Sequence, residues 1–225
     1  MDATVVVTGA TGGVGSAVVR AFADDGALVV ASARDSGALD ELVADVDGEV
    51  VGVRADARDE FDAEWLMERA ARAGGPIDVV IPCAAVFHGT PGETPLAAES
   101  YSAFDDTLRT NARGVFAAVR EAVPHLAPDA RVLVPTGSVA REDGAGYGAY
   151  AVSKATAEAL ARGFAADLPQ AVACVDPGVI ATDLTGGRGG DPRQAAALFR
   201  WAAGLDAGDL DGATLTRADW RAARA

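Results

Sequence analysis

The feature that most limits how this chain can fold is an alternation. Short Val-rich runs take turns with Ala-rich stretches of helical composition along nearly its whole length. A strand with one wet face alternates polar and apolar residues, whereas a run that is apolar throughout is covered on both faces. Such runs separated by helices predict parallel strands joined by helical crossovers, a three-layer α/β sandwich with a doubly wound, mostly parallel sheet. Seven strands are expected, at 4–8, 27–33, 49–54, 77–84, 131–137, 171–175 and 213–216. Helices are expected at 13–25, at 36–44, and around Phe61, Trp65 and Met67. Three more are expected at 99–123 (stopped by Pro124), at 150–166, and from Pro192 to about Ala203. No repeat, linker or low-complexity block divides the chain, so residues 1–225 are expected to form one domain.

Half of the 225 residues are apolar, enough for a sizeable core. The charges are lopsided, with 33 acidic against 19 basic residues and a net charge of −14. Eighteen of the basic residues are Arg, and the single Lys is Lys154. Phosphate backbones and anionic lipid need clustered cations, so neither nucleic acid nor a membrane surface is an expected partner. A GC-rich genome would favour Arg, but it leaves the acid excess unexplained. A carboxylate-dense surface nearly free of Lys is similar to those of salt-loving archaeal proteins, with a GC-rich bacterium as the other source considered. Apolar runs are too short to span a membrane, and the start Met1-Asp2-Ala3 has no basic leader, so a cytoplasmic protein is expected. Cys83 and Cys174 lie in apolar runs and are expected as reduced, packed thiols, with no metal site.

Thr8-Gly9-Ala10-Thr11-Gly12-Gly13-Val14-Gly15 joins the first expected strand to the first helix. Glycines let backbone turn sharply and approach a pyrophosphate, which then rests on the free N–H groups of the helix start. No Gly-Lys-Ser/Thr follows, which excludes an NTPase phosphate loop. Two templates fit: Gly9, Gly13 and Gly15 match one spacing, while Gly9, Gly12 and Gly15 match another. At the end of the second strand an acid would accept from the ribose of NAD, and a base would meet the 2′-phosphate of NADP. Here Ser32 and Ala33 lead into Arg34, which favours NADP over NAD, although Asp35 follows. Asp56, ending the third strand, is placed either to accept from the adenine amino group or to cap the next helix.

Tyr150 and Lys154 stand four apart, which on a helix puts them on one face about 6 Å apart. With three Tyr and one Lys, chance would produce that spacing about one time in a hundred. A phenol is a poor acid or base at neutral pH, and a neighbouring ammonium favours its phenolate form. Such a Tyr can protonate a carbonyl oxygen as hydride reaches the carbon. Ser138, after the fifth strand, can donate to the same oxygen. Arg differs from Lys in shape and hydration, so one Lys retained in an Arg-rich chain points to a functional requirement.

With these residues in this order, the chain resembles the short-chain dehydrogenase/reductase family along essentially its whole length. The resemblance rests on residues 8–15, Asn111, Ser138, Tyr150 with Lys154, and Asp176-Pro177-Gly178-Val179-Ile180-Ala181-Thr182. It implies a Rossmann-type sheet flanked by helices, with Tyr150 as acid/base and Ser138 holding the substrate oxygen. Lys154 would also contact the nicotinamide ribose, and Asn111 would hold a water in a proton relay through Lys154. The implied cofactor contacts are Gly9, Thr11, Gly12, Gly13, Val14, Gly15, Ser32, Arg34, Asp56, Ala57, Ala84, Tyr150, Lys154, Pro177, Gly178, Val179 and Thr182. A homotetramer or homodimer built on the helices at 99–123 and 150–166 is implied as well. Three departures stand out. Pro82-Cys83-Ala84-Ala85 replaces the family's Asn-Asn-Ala-Gly, Ser138 lies one residue closer to Tyr150 than usual, and the C-terminal end is short.

The function expected is NADP-dependent interconversion of a small carbonyl compound and its alcohol. A catalytically silent redox sensor and a sugar-nucleotide epimerase are the alternatives, the latter disfavoured by the short C-terminal region. The substrate pocket is expected to draw on 86–88, 139–148 and 185–198, with Val86, Phe87, Leu184 and Phe199 supplying apolar contacts. Arg141 or Arg188 would be needed for a strongly anionic substrate. The segment 185–190 would be a small lid. No catalytic role is expected for His88.

Overall fold

The computed structural model describes residues 3–142 and 144–224. In chain order the elements are β1 (Thr4–Thr8), α1 (Gly13–Asp24), β2 (Leu28–Ala33), α2 (Ser36–Asp45), β3 (Val50–Arg54), α3 (Glu60–Gly74) and β4 (Ile77–Pro82). They continue with α4 (Tyr101–Leu108), α5 (Gly114–Ala122), β5 (Leu126–Pro135), α6 (Gly148–Asp167) and β6 (Ala171–Asp176). The chain then adds α7 (Pro192–Ala203), α8 (Ala207–Leu210), β7 (Thr214–Thr216) and α9 (Arg217–Ala222).

All neighbouring strands pair parallel in one seven-stranded sheet of order β3-β2-β1-β4-β5-β6-β7. The apolar runs explain the layers, because successive strand residues point to opposite faces. Val5, Val7, Val29 and Ala31 pack with Val18, Phe22, Leu198 and Phe199 of α1 and α7. Val6, Val30, Val80 and Val132 pack with Leu66, Met67, Val119 and Ala157 of α3, α5 and α6. Each face of the sheet thus has its own helical cover and its own core cluster. The strand order reverses beside β1, so the chain leaves β1 and β4 toward opposite faces of the sheet and a crevice opens at their ends.

Several boundaries differ from expectation. The helix expected at 99–123 is interrupted by a wide π turn at Arg109–Arg113, where α4 gives way to α5. β4 ends at Pro82, so Cys83 belongs to the loop beyond it and is only half-buried, whereas Cys174 is buried within β6. α9 was legible only as a polar tail, yet Thr216 and Asp219 form a capping box that starts it.

Candidate active site

One cleft of about 660 Å³ runs across the crevice between the loops after β1 and β4. Its wall includes Gly9, Thr11, Gly12, Gly13, Val14, Gly15, Ser32, Arg34, Asp56, Ala57 and Ala84 at one end. Ser138, Tyr150, Lys154, Pro177, Gly178 and Val179 line the other, and Thr182 lines the cleft next to Gly13. Asn111 does not line it.

Gly9 has φ +63°, and a Cβ there would lie 2.6 Å from the Ala84 Cα, so the turn after β1 and the loop after β4 touch backbone to backbone. A Cβ on Gly13 would come within 2.6 Å of the Thr182 methyl, whereas one on Gly12 would meet only the Gly9 carbonyl, at 3.3 Å. Packing therefore demands glycine at 13 more than at 12, which distinguishes the two spacings.

The start of α1 has Gly12 as its cap, with no side-chain hydrogen bond and no acid in the first turn. By contrast, α2, α3 and α7 are capped by Asp35, Asp59 and Asp191. In so acidic a chain, a helix start left open and lined by glycine N–H groups fits an anion such as a pyrophosphate. The residues present thus fit a dinucleotide.

The Oδ1 of Asp35, next to Arg34, accepts from the N–H groups of Gly37 and Ala38 at 2.9 and 3.2 Å and so caps α2. Arg34 is exposed and has no ion-pair partner among the described residues. Asp56 is not a helix cap, because Asp59 takes that place for α3. Its carboxylate instead receives a two-pronged contact from Arg58, at 2.7 and 3.0 Å. Arg58 also reaches Asp106 at 2.8 Å, and Asp106 in turn pairs with His88 at 2.8 Å. The Arg58 hydrogen bond holds the Asp56 carboxyl below the usual range, with Arg34 adding to the effect. Hydrogen bonds from Arg58 and His88 do the same for Asp106.

At the other end, Lys154 is buried and its ammonium stands 5.6 Å from the centre of the Tyr150 ring. It donates to the Pro135 carbonyl at 3.1 Å, tying α6 to the end of β5. Asn111, 1 % exposed, has both amide protons and one side of its Oδ1 engaged. Its Oδ1 accepts from Val86 N–H at 2.8 Å, and its Nδ2 donates to the Val86 carbonyl and to Ser153 Oγ at 2.9 and 3.0 Å. Ser153 Oγ donates to the Tyr150 carbonyl, so the π turn, the loop after β4 and the start of α6 are knitted together. Both amide protons being spent, a relay through Asn111 would have to use its backbone carbonyl or the second lone pair of Oδ1.

Val86, Val139, Tyr147 and Leu184 line the apolar part of the cleft, and Phe87 packs 5.2 Å from the Tyr150 ring. Phe199 is fully buried in the core between α7 and α1, so it is not a pocket residue. Arg141 is committed to Glu158 and Asp176, which leaves Arg188 as the cation of the lid segment. Asp143, within the expected 139–148 wall, lies outside the described residues. Burial of the sulfur pushes the Cys83 thiol up to about 12 against the pull of Lys154, and burial with the Glu158 charge does the same for Cys174 against Arg162, Arg141 and Lys154.

Sequence reasoning missed Arg58, Ser153, Glu158 and Thr110. Thr110 lines the cleft with a buried hydroxyl that finds no partner among the described residues. Glu158 could have been found, since it lies four residues beyond Lys154 on the same helix face.

A parallel sheet with a glycine-lined helix start at its switch point, and a Tyr–Lys pair facing the same crevice, defines a dinucleotide-binding oxidoreductase class. The chain belongs to the short chain dehydrogenase family, whose sequence model matches residues 3–192. It is 31% identical over 189 residues to the glycine betaine reductase ATRR of Emericella nidulans, covering 80% of this chain but 15% of that much longer protein. It is 30% identical over 199 residues to the NADPH-dependent aldehyde reductase 2 (chloroplastic) of Arabidopsis thaliana, covering 80% of this chain and 72% of the relative. Among solved structures it is similar to a short chain dehydrogenase from Burkholderia cenocepacia in complex with NADP. That likeness has a TM-score of 0.87 and 26% identity, and covers 96% of each chain.

Proposed function

We propose that this chain reduces a small carbonyl compound with an apolar body to its alcohol, using NADPH in preference to NADH. The observation that carries this reading is that Tyr150, Lys154 and Ser138 face the same cleft as the open start of α1. Gly9 through Gly15 and the α1 start would hold the pyrophosphate, Arg34 the 2′-phosphate, and Pro177 to Val179 with Thr182 the nicotinamide end. When bound, the nicotinamide supplies the hydride to the carbonyl carbon. The Tyr150 hydroxyl gives its proton to the carbonyl oxygen, and the Ser138 hydroxyl donates to that oxygen as its charge develops. Lys154, held by Pro135, places a positive charge beside the phenolate that Tyr150 becomes. Val86, Val139 and Leu184 give the substrate body apolar contact and exclude water from the oxygen.

The test is a panel of aldehydes and ketones offered with NADPH carrying deuterium at C4. The expected result is an alcohol labelled at the former carbonyl carbon, with cofactor oxidised in equal amount. Tight NADPH binding without turnover of any carbonyl would favour a redox sensor instead. Chemistry without net cofactor oxidation would favour an epimerase.

A further inference from the structure

Next to the reacting end of the cleft lies a charge cluster of Arg141, Glu158 and Asp176 that the mechanism above does not use. Glu158 and Asp176 are 4 % and 6 % exposed, and one guanidinium, that of Arg141, bridges them with a nitrogen to each. Glu158 also accepts from the Thr136 hydroxyl at 2.8 Å, and the second Asp176 oxygen accepts from Gly178 N–H at 2.9 Å. Each partner sits on a different arm of the site. Glu158 is one turn beyond Lys154 on α6, Thr136 follows β5, and Asp176 ends β6 at the head of the loop expected to meet the nicotinamide. Arg141 itself closes the short turn Ser138–Ala140, its N–H donating to the Ser138 carbonyl at 2.9 Å. Fixing Arg141 therefore fixes Ser138.

Two carboxylates this buried and sharing one cation are a poor way to gain stability, since apolar side chains of similar volume would do as well or better. What a forked guanidinium offers is geometry, because it holds two acceptors in one plane. We propose that Arg141 is a positioning residue. It locks the Ser138 turn to the helix of Tyr150 and Lys154 and to the Pro177–Gly178 loop, so that both hydroxyls meet one carbonyl oxygen. The inference rests on the carbonyl-reduction reading of the site. It also removes Arg141 from the cations available to an anionic substrate.

The test compares Arg141→Met and Arg141→Lys with wild type and Tyr150→Phe in the full chain. It measures kcat, the carbonyl KM, the NADPH Kd by fluorescence, and the melting temperature. Misplacing a catalytic hydroxyl by an ångström costs about 10²-fold in rate, so Arg141→Met is expected to lower kcat by about that factor. Carbonyl KM should move by less than about threefold, and NADPH Kd, which also draws on the α1 start and Arg34, should rise by clearly less than kcat falls. Arg141→Lys restores the charge without the fork and should recover about tenfold of the lost kcat. Wild-type kcat in Arg141→Met, or a loss confined to KM or Kd, overturns the proposal. Should Arg141→Met not fold, Arg141→Lys decides: a lowered kcat at unchanged melting temperature supports the role, and an unchanged kcat overturns it. If Tyr150→Phe retains activity, the reading of the site falls and this inference with it. If Tyr150→Phe is dead while Arg141→Met is fully active, only this inference falls.

Discussion

Arg34 and Asp35 are adjacent, oppositely charged and both at the end of β2, where one would favour NADP and the other NAD. One of the two also caps a helix. Asp35 turns its Oδ1 to the N–H groups of Gly37 and Ala38, while Arg34 stays exposed with its charge close enough to be felt by Asp56. A guanidinium–phosphate contact of this kind contributes about 2 kcal/mol. Arg34→Ala should therefore weaken NADPH binding by about thirtyfold and leave NADH binding nearly unchanged, as titration of both cofactors would show. An unaltered preference would remove Arg34 from phosphate recognition. Arg34 was legible as a candidate because the end of β2 is where a cation could meet a 2′-phosphate. Asp56 was legible only as a choice, since its partner Arg58 is itself anchored by Asp106, which a distant helix delivers.

At the scale of elements, the apolar runs announced β1, β2, β4 and β6, because burial on both faces leaves no room for polar alternation, while the edge strands β3 and β7 are only partly buried. The glycine turn announced the crevice, although the number of glycines hid which of them packing requires. Gly9→Ala combines a positive φ with a clash against Ala84 backbone, and about 3 kcal/mol of lost stability is expected in denaturant unfolding. Gly12→Ala, at a normal φ and with its Cβ meeting only a carbonyl at 3.3 Å, should cost clearly less. Equal losses would contradict the geometry drawn for the turn. The break between α4 and α5 was not legible. It goes with hydrogen bonds between Asn111 and the backbone of Val86, a contact across 25 positions that no local pattern carries. The Arg141 cluster was hidden for the same reason, apart from the spacing of Lys154 and Glu158.

For the whole molecule, the surplus of acid means that anionic ligands meet a net charge of −14 and must be held by local groups. The crevice beside β1 supplies such groups, with a helix start lacking a side-chain cap and an Arg34 without an ion-pair partner among the described residues at one end and Lys154 at the other. Among the described residues there is no cluster of side chains suited to a metal ion, and no helix is long and apolar enough to cross a membrane. Only one Lys was kept in the chain, and it stands beside the tyrosine on which the proposed chemistry depends. Tyr150→Phe removes a single oxygen and keeps the ring that packs against Phe87. Carbonyl reduction by this variant, followed as NADPH oxidation, should fall by about 10³-fold with NADPH binding unchanged. Turnover within about tenfold of wild type would contradict the account.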